Sequence, residues 1–229
     1  MIDAVIISDV HLGSDVCQAD SLDKFLKKVE KLKPKKLIIN GDLFDCLNFN
    51  KLPKNHWQIL KDLRKLSKDI EIIWINGNHD GHYEYVSNIL GIEFFQQYTF
   101  ESADKKIICL HGDKFDSFIQ KYPLLTKIAD LIYWAMQKID TSHNLAVYAK
   151  KNSKTFLRNI QKIKTDAINY AKDNGADIIL CGHTHYPEIT SVDKIVYGNS
   201  GCWTDKNCSY LTIQEGILKH ENTNSNRCM

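Results

Sequence analysis

The stretch Val5-Ile6-Ile7-Ser8-Asp9-Val10-His11 joins a β-branched apolar run to a cluster of polar side chains. The same join recurs along the chain. Leu37-Ile38-Ile39 leads to Gly41-Asp42-Leu43-Phe44-Asp45, and Ile72-Ile73-Trp74-Ile75 leads to Gly77-Asn78-His79-Asp80. Ile107-Ile108-Cys109-Leu110 leads to His111-Gly112-Asp113, and Ile178-Ile179-Leu180 to Gly182-His183-Thr184-His185. Runs this short and apolar read as buried strands. Between the first two, Leu22, Phe25, Leu26, Val29 and Leu32 repeat at helix spacing. Strands alternating with helices predict a layered α/β fold. Farther on, Ile195-Val196-Tyr197 and Ser209 to Ile213 predict an antiparallel meander that closes a second sheet.

The composition narrows the possibilities. The chain has 229 residues, 30 Lys+Arg against 28 Asp+Glu, and 43% hydrophobic residues, which suits one globular domain with a continuous core. The near-zero net charge argues against a protein that grips long nucleic acid. Seven scattered cysteines with no CxxC pair suggest neither a disulfide framework nor a structural zinc knuckle. Reduced thiols and an N-terminus without a basic n-region lead to the expectation of a cytoplasmic protein. Nine histidines without a His-rich tract are the unusual feature of this composition.

From Asp9 to Asp42, Asn78 and His111 the steps are 33, 36 and 33 residues, but from His111 to His183 the step is 72. The excess falls in 115–172, where Leu125, Ile128, Ala129, Ile132, Ala135, Met136 and Ile139 share one helical face. This segment is expected to be an inserted helical cap on a domain spanning 1–221. Its Lys150, Lys151, Lys154, Arg158, Lys162 and Lys164 suggest a basic surface able to meet phosphates or an anionic membrane. The polar tail 222–229 is expected to be disordered.

Ligands of open α/β sheets bind outside the carboxyl ends of strands, so the polar clusters are expected to converge. Asp9 and His11 are two apart, as are His183 and His185. On extended backbone each pair would point one way and reach one centre. Two aspartates, one asparagine and four histidines form an oxygen/nitrogen donor set without thiolate. Such a set suits Mn²⁺, Fe²⁺ or Zn²⁺ better than a soft-metal or Fe–S site, and Mn²⁺ is the expected ion. Seven donors suit two ions sharing a carboxylate, and two ions ~3.5–4 Å apart can bind a bridging hydroxide and stabilise displacement at phosphorus.

The order DxH, GDxxD, GNHD, HGD and GHTH resembles the calcineurin-like metallophosphoesterase superfamily. The resemblance implies a four-layer α/β/β/α sandwich of two mixed sheets. It implies one metal on Asp9, His11, Asp42 and His185, and a second on Asp42, Asn78, His111 and His183, with Asp42 bridging. It further implies His79 as the residue assisting the leaving oxygen and Asp45 as the carboxylate orienting it.

A narrower resemblance involves Ile7 to Gly13 with Cys17-Gln18-Ala19, His111 to Asp116, and Gly198-Asn199-Ser200-Gly201-Cys202-Trp203. These stretches are similar to the UDP-2,3-diacylglucosamine pyrophosphatase branch, which acts in lipid A synthesis and releases UMP and a lipid 1-phosphate. His79 stands where well-studied members of that branch carry Arg. The implied substrate is a phosphorylated small molecule or nucleotide-lipid, with His82, Lys114 and Asp116 as candidate substrate contacts. Two other readings stay open: a phosphodiesterase or nuclease acting on cyclic nucleotides or short nucleic acids, and a non-catalytic interaction scaffold. His56, His143 and His220 fit no cluster and read as ordinary surface or core residues.

Overall fold

A computed structural model describes residues 1–45, 49, 52–81, 84–116 and 154–223. Two mixed sheets lie at its centre. The first has the order β11-β10-β1-β2-β3-β4, from β1 (Ala4–Ile7), β2 (Lys36–Asn40), β3 (Glu71–Ile75), β4 (Glu93–Phe95), β10 (Ser209–Gln214) and β11 (Ile217–Asn222). Strands β1 to β4 run parallel, and β10 and β11 join antiparallel at the β1 edge. The second has the order β5-β6-β7-β9-β8, from β5 (Tyr98–Ser102), β6 (Lys105–Cys109), β7 (Ile178–Cys181), β8 (Glu188–Val192) and β9 (Ile195–Asn199). Its parallel centre, β6, β7 and β9, is flanked by antiparallel β5 and β8.

The two-residue period of a strand sorts these side chains into layers. Ala4 and Ile6 of β1 face inward with Ile38, Ile73 and Ile75, against Ile107, Cys109, Ile178 and Leu180 of the other sheet. Val5 and Ile7 face outward, under α1 (Ala19–Leu32) and α2 (Lys54–Leu66). The apolar stripe of α1, namely Leu22, Phe25, Leu26 and Val29, is the buried one. The helix ends where Lys33 turns left-handed and returns its N–H to the Val29 carbonyl. A short α3 (Glu84–Leu90) follows the β3 exit. On the far side, Ile108 and Ile179 pack under α4 (Lys154–Asp173) through Ala167, Ile168 and Ala171. The layers therefore run α/β/β/α, as the resemblance implied.

The boundary of the insert differs from the sequence reading. Residues 154–172 belong to α4, a core helix of the second sheet, because its Ile160, Ile163 and Ala167 stripe is buried. The segment 117–153, including all of the apolar face read as a cap, lies outside the described residues. The tail boundary also moves. Asn222 ends β11 and the Thr223 N–H bonds to the Cys208 carbonyl, while 224–229 lie outside the described residues. No described helix is long and apolar enough to cross a membrane.

Candidate metal centre

The carboxyl ends of β1, β2, β3, β6, β7 and β9 open onto one place, and the backbone there is unusual. Asp9, His11, Asp42, His183 and His185 all have left-handed φ, between 53° and 64°. Such a conformation costs a non-glycine residue about 1 kcal/mol or more and persists where surrounding bonds dictate it. Those bonds are present. The N–H groups of Val10 and His11 both reach the Asp42 carbonyl, Asp9 N–H reaches Gly41, and Trp203 N–H reaches the Asp9 carbonyl. This overturns the expected route to convergence. Asp9, His11 and His185 meet at a common centre, but through left-handed turns rather than extended backbone. Two glycines let the loops close in. A Cβ on Gly41, whose φ is +91°, would lie 2.2 Å from His111 Nδ1, and one on Gly77 would lie 2.2 Å from Asp42 Oδ1.

Side chains then cluster. Ligand atoms of Asp9, His11 and His185 lie within 4.8 Å of one another, as do those of Asp9, Asp42 and His111, and those of His11, Asp42 and His79. Asp42 faces His111 Nε2 at 3.2 Å and His11 Nε2 at 3.7 Å, and Asp9 faces His185 Nε2 at 3.1 Å. The opposite ring nitrogens are tethered: His11 Nδ1 to Asp45 Oδ1 at 3.2 Å and His111 Nδ1 to the Asn40 carbonyl at 3.0 Å. Tethers of this kind fix the tautomer of a metal-binding histidine. His11 Nε2 and His111 Nε2 are buried with no hydrogen-bond partner. A buried polar atom without a partner is costly, and a cation between these nitrogens and Asp42 would satisfy both. The donor set fits divalent metal ions.

Charge in the site is strongly coupled. Burial alone would raise Asp9, but His185 beside it and His111 nearby hold its carboxyl at about 2. Asp42 is likewise driven below the carboxylate range, because His111 and His11 outweigh its burial. The imidazoles respond in kind. Burial pulls His11 down, and its bond to Asp45 with the charges of Asp42 and Asp9 lifts it above the ordinary value. His111 is lifted well above it, its burial outweighed by Asp42.

Several expected roles change. Asp45 does not direct its carboxylate at His79; its Oδ1 holds His11, and only its backbone carbonyl meets His79 Nδ1, at 3.3 Å. Asp116, expected as a substrate contact, is buried, with Oδ2 3.0 Å from His183 Nε2. Lys114 places its ammonium 3.5 Å from the Tyr170 ring centre, so its charge rests on an aromatic face of α4. Asn78 is exposed in the β3 exit turn, between Gly77 and His79, and His79 donates its N–H to Asp42 Oδ1 at 2.9 Å. His183 donates its N–H to Asp9 Oδ2 at 3.1 Å and stands ring to ring with His111 at 5.2 Å. His82 lies outside the described residues, as does His143. His56 is a buried acceptor for the Gly13 N–H.

Other residues of the site carried no role in the sequence reading. Asp80 is buried and accepts from the N–H groups of Asp42 (2.7 Å), Gly77 (3.0 Å) and Phe44 (3.1 Å) and from Trp74 Nε1 (3.1 Å). It thereby clasps the β2 and β3 exits. Burial and the neighbouring Asp42 charge push it up to about 6, against the pull of those donors. Ser8 Oγ bonds Asp9 Oδ2 and Ser200, and Asn199 Nδ2 bonds the Gly182 carbonyl at 2.6 Å. Thr204 Oγ1 lies 3.4 Å from His185 Nδ1. The Asn199-Ser200-Gly201 stretch after a strand was the available signal for this support.

A family model described as calcineurin-like phosphoesterase matches residues 3–187. A curated relative, the UDP-2,3-diacylglucosamine hydrolase of Blochmanniella pennsylvanica (strain BPEN), is 30% identical, with 92% of each chain covered. Among solved structures, an archaeal phosphodiesterase is similar with a TM-score of 0.54 at 16% identity, covering 96% of this chain and 98% of its own. A Vps29 single mutant (D62A) from Entamoeba histolytica is similar with a TM-score of 0.51 at 14% identity, covering 96% and 97%. At these identities both structures speak to the fold.

Proposed function

The chain belongs to the calcineurin-like phosphoesterase family and is a metal-dependent hydrolase, and from that premise we propose that it is a two-metal pyrophosphatase acting on a nucleotide-lipid of the UDP-2,3-diacylglucosamine type. The products would be UMP and a lipid 1-phosphate. The observation that carries the metal-dependent part of the reading is the pair of buried nitrogens, His11 Nε2 and His111 Nε2, turned toward Asp42 without a well-formed hydrogen bond. Asp9, His11, Asp42 and His185 would hold one ion, and Asp42, Asn78, His111 and His183 the other. Mn²⁺ is the proposed metal. When bound, the ions supply positive charge against the phosphoryl oxygens and an activated water.

The chain's own residues do the remaining work. The Asp45 carbonyl only accepts, so the proton of its bond to His79 sits on Nδ1, leaving Nε2 to exchange a proton with the leaving oxygen. The His79 N–H on Asp42 Oδ1 ties that ring's loop to the proposed bridging carboxylate. The His79 ring stands edge-on to His11, with centroids 4.9 Å apart, so it borders the metal centre. Exposed Lys154, Arg158 and Lys162 on α4 support a contact with anionic lipid surfaces, which salt-sensitive co-sedimentation with phosphatidylglycerol vesicles would test.

The substrate is tested by comparing hydrolysis of UDP-2,3-diacylglucosamine, bis-p-nitrophenyl phosphate and cyclic nucleotides with Mn²⁺. Preferred cleavage of the first to UMP is the expected result. Preferred cleavage of a cyclic nucleotide would replace the substrate assignment, and no cleavage of any phosphoester would overturn the reading.

A further inference from the structure

We propose that Asp116 is a positioning residue that presents the His183 ring to the metal centre, an inference that rests on the two-metal reading above. The other histidines of the set share one arrangement. His11 is held at Nδ1 by Asp45, His111 at Nδ1 by the Asn40 carbonyl, and His185 has Thr204 beside its Nδ1. Each turns Nε2 to a carboxylate of the centre. His183 is reversed, with its Nε2 3.0 Å from Asp116 Oδ2. A carboxylate oxygen accepts, so the proton of this bond sits on Nε2 and Nδ1 keeps the lone pair for a cation.

The anchor is well fixed. Asp116 is 5% exposed, and the same Oδ2 accepts from Asn159 Nδ2 of α4 at 3.0 Å. The turn that carries it, Asp113–Phe115, is pinned to the same helix, with Lys114 over the Tyr170 ring and Phe115 5.7 Å from it. Because α4 packs on the second sheet, the His183 ring is oriented by the sandwich itself rather than by the loop that bears it. Carboxylates behind metal-binding histidines fix ring orientation in this way, and their removal weakens metal binding by roughly 10–100-fold.

The test uses the full chain with Asp116→Ala and Asp116→Asn. In the metal-free protein, long-range ¹H–¹⁵N correlation of the His183 ring should show the Nε2–H tautomer in the wild type and in Asp116→Asn, and its loss in Asp116→Ala. In Mn²⁺ titrations followed by electron paramagnetic resonance, Asp116→Ala should bind one ion as the wild type does and the second about 10–100-fold more weakly. The amide of Asp116→Asn should rescue most of that loss. A wild-type His183 protonated at Nδ1, wild-type binding of both ions by Asp116→Ala, or equal loss of both ions would overturn the proposal. Should Asp116→Ala not fold, Asp116→Leu, which also removes the acceptor, carries the same comparison against Asp116→Asn. A wild type that binds fewer than two ions would refute the two-metal reading, while the ring signal would still decide the role of Asp116.

Discussion

Ten non-glycine residues among those described have left-handed backbone, and they divide evenly between two kinds of place. Lys33, Ala103, Asp193, Lys194 and Glu215 sit at a helix end or in hairpin turns, where reversing the chain requires the conformation. Asp9, His11, Asp42, His183 and His185 sit at strand exits around the metal centre. The turn residues are exposed and take part in no centre, whereas Asp9 and Asp42 are buried, with both carboxylates facing imidazoles. In the turns the strain is incidental to the residue type, and glycine would serve. At the centre it is the cost of aiming a ligand side chain from a sharp turn, so glycine would relieve the backbone and remove the chemistry.

Changes at the centre should therefore act on metal and turnover, and changes in the turns on stability alone. The largest effect is expected for Asp42→Ala, which should abolish hydrolysis and lower bound metal measured by plasma mass spectrometry. Near-native turnover with stoichiometric metal would show that Asp42 does not bridge. His79→Ala should keep the metal and lower kcat by roughly 10²–10⁴-fold, the usual worth of a general acid. An equal loss of metal would make His79 a ligand. Asp80→Asn leaves one oxygen for the Phe44 N–H but sets an amide against the donors now on Oδ2, so Mn²⁺ affinity should fall by roughly 10–100-fold. Unchanged affinity would mean the clasp does not hold Asp42 in its turn.

The pH dependence should separate the metal-free and metal-bound chains. His11 and His111 are raised above their unfolded value in the metal-free fold. Their contribution is thus full below about pH 6.5 and lost as pH rises through the raised values. Asp9, held at about 2, contributes above about pH 4 and loses that contribution as pH falls toward 2. The metal-free chain should lose Tm from pH 6.5 upward in scanning fluorimetry, and saturating Mn²⁺ should flatten that loss, since cation binding displaces those protons. Parallel curves with and without Mn²⁺ would contradict the coupling. The smallest effect is expected in a turn. Lys194, with φ 70°, can be replaced by glycine to relieve about 1–2 kcal/mol of backbone cost at an entropic loss of about 0.5–1 kcal/mol. Lys194→Gly should raise Tm slightly and leave kcat unchanged; a loss of activity would break the division between the two sets.

Much of this was legible in the sequence because β-branched runs mark buried parallel strands, and polar clusters after them mark the ligand-binding edge. The layered α/β class and the convergence of Asp9, His11, Asp42, His111 and His185 followed from that pattern, while the four-layer order came from the family resemblance. What stayed hidden depends on backbone rather than residue type. Nothing in Asp-Val-His announces left-handed turns, so extended backbone was the natural expectation. Edge strands β5 and β8 lack an apolar run because each pairs on one side only, with β6 and β9 respectively. The long basic segment hid a core helix because α4 buries only one stripe and exposes its lysines. The partners of Asp45, Asp80 and Asp116 come from other segments of the chain, and spacing carries no trace of them.

The central claim, two ions held by the strand exits, is tested most directly by titrating the metal-free wild-type chain with Mn²⁺ while counting bound ions and measuring phosphoester hydrolysis. The account predicts two ions per chain and hydrolysis that rises with occupancy of the second. Full hydrolysis in a metal-free chain, or saturation at a single ion, would contradict it.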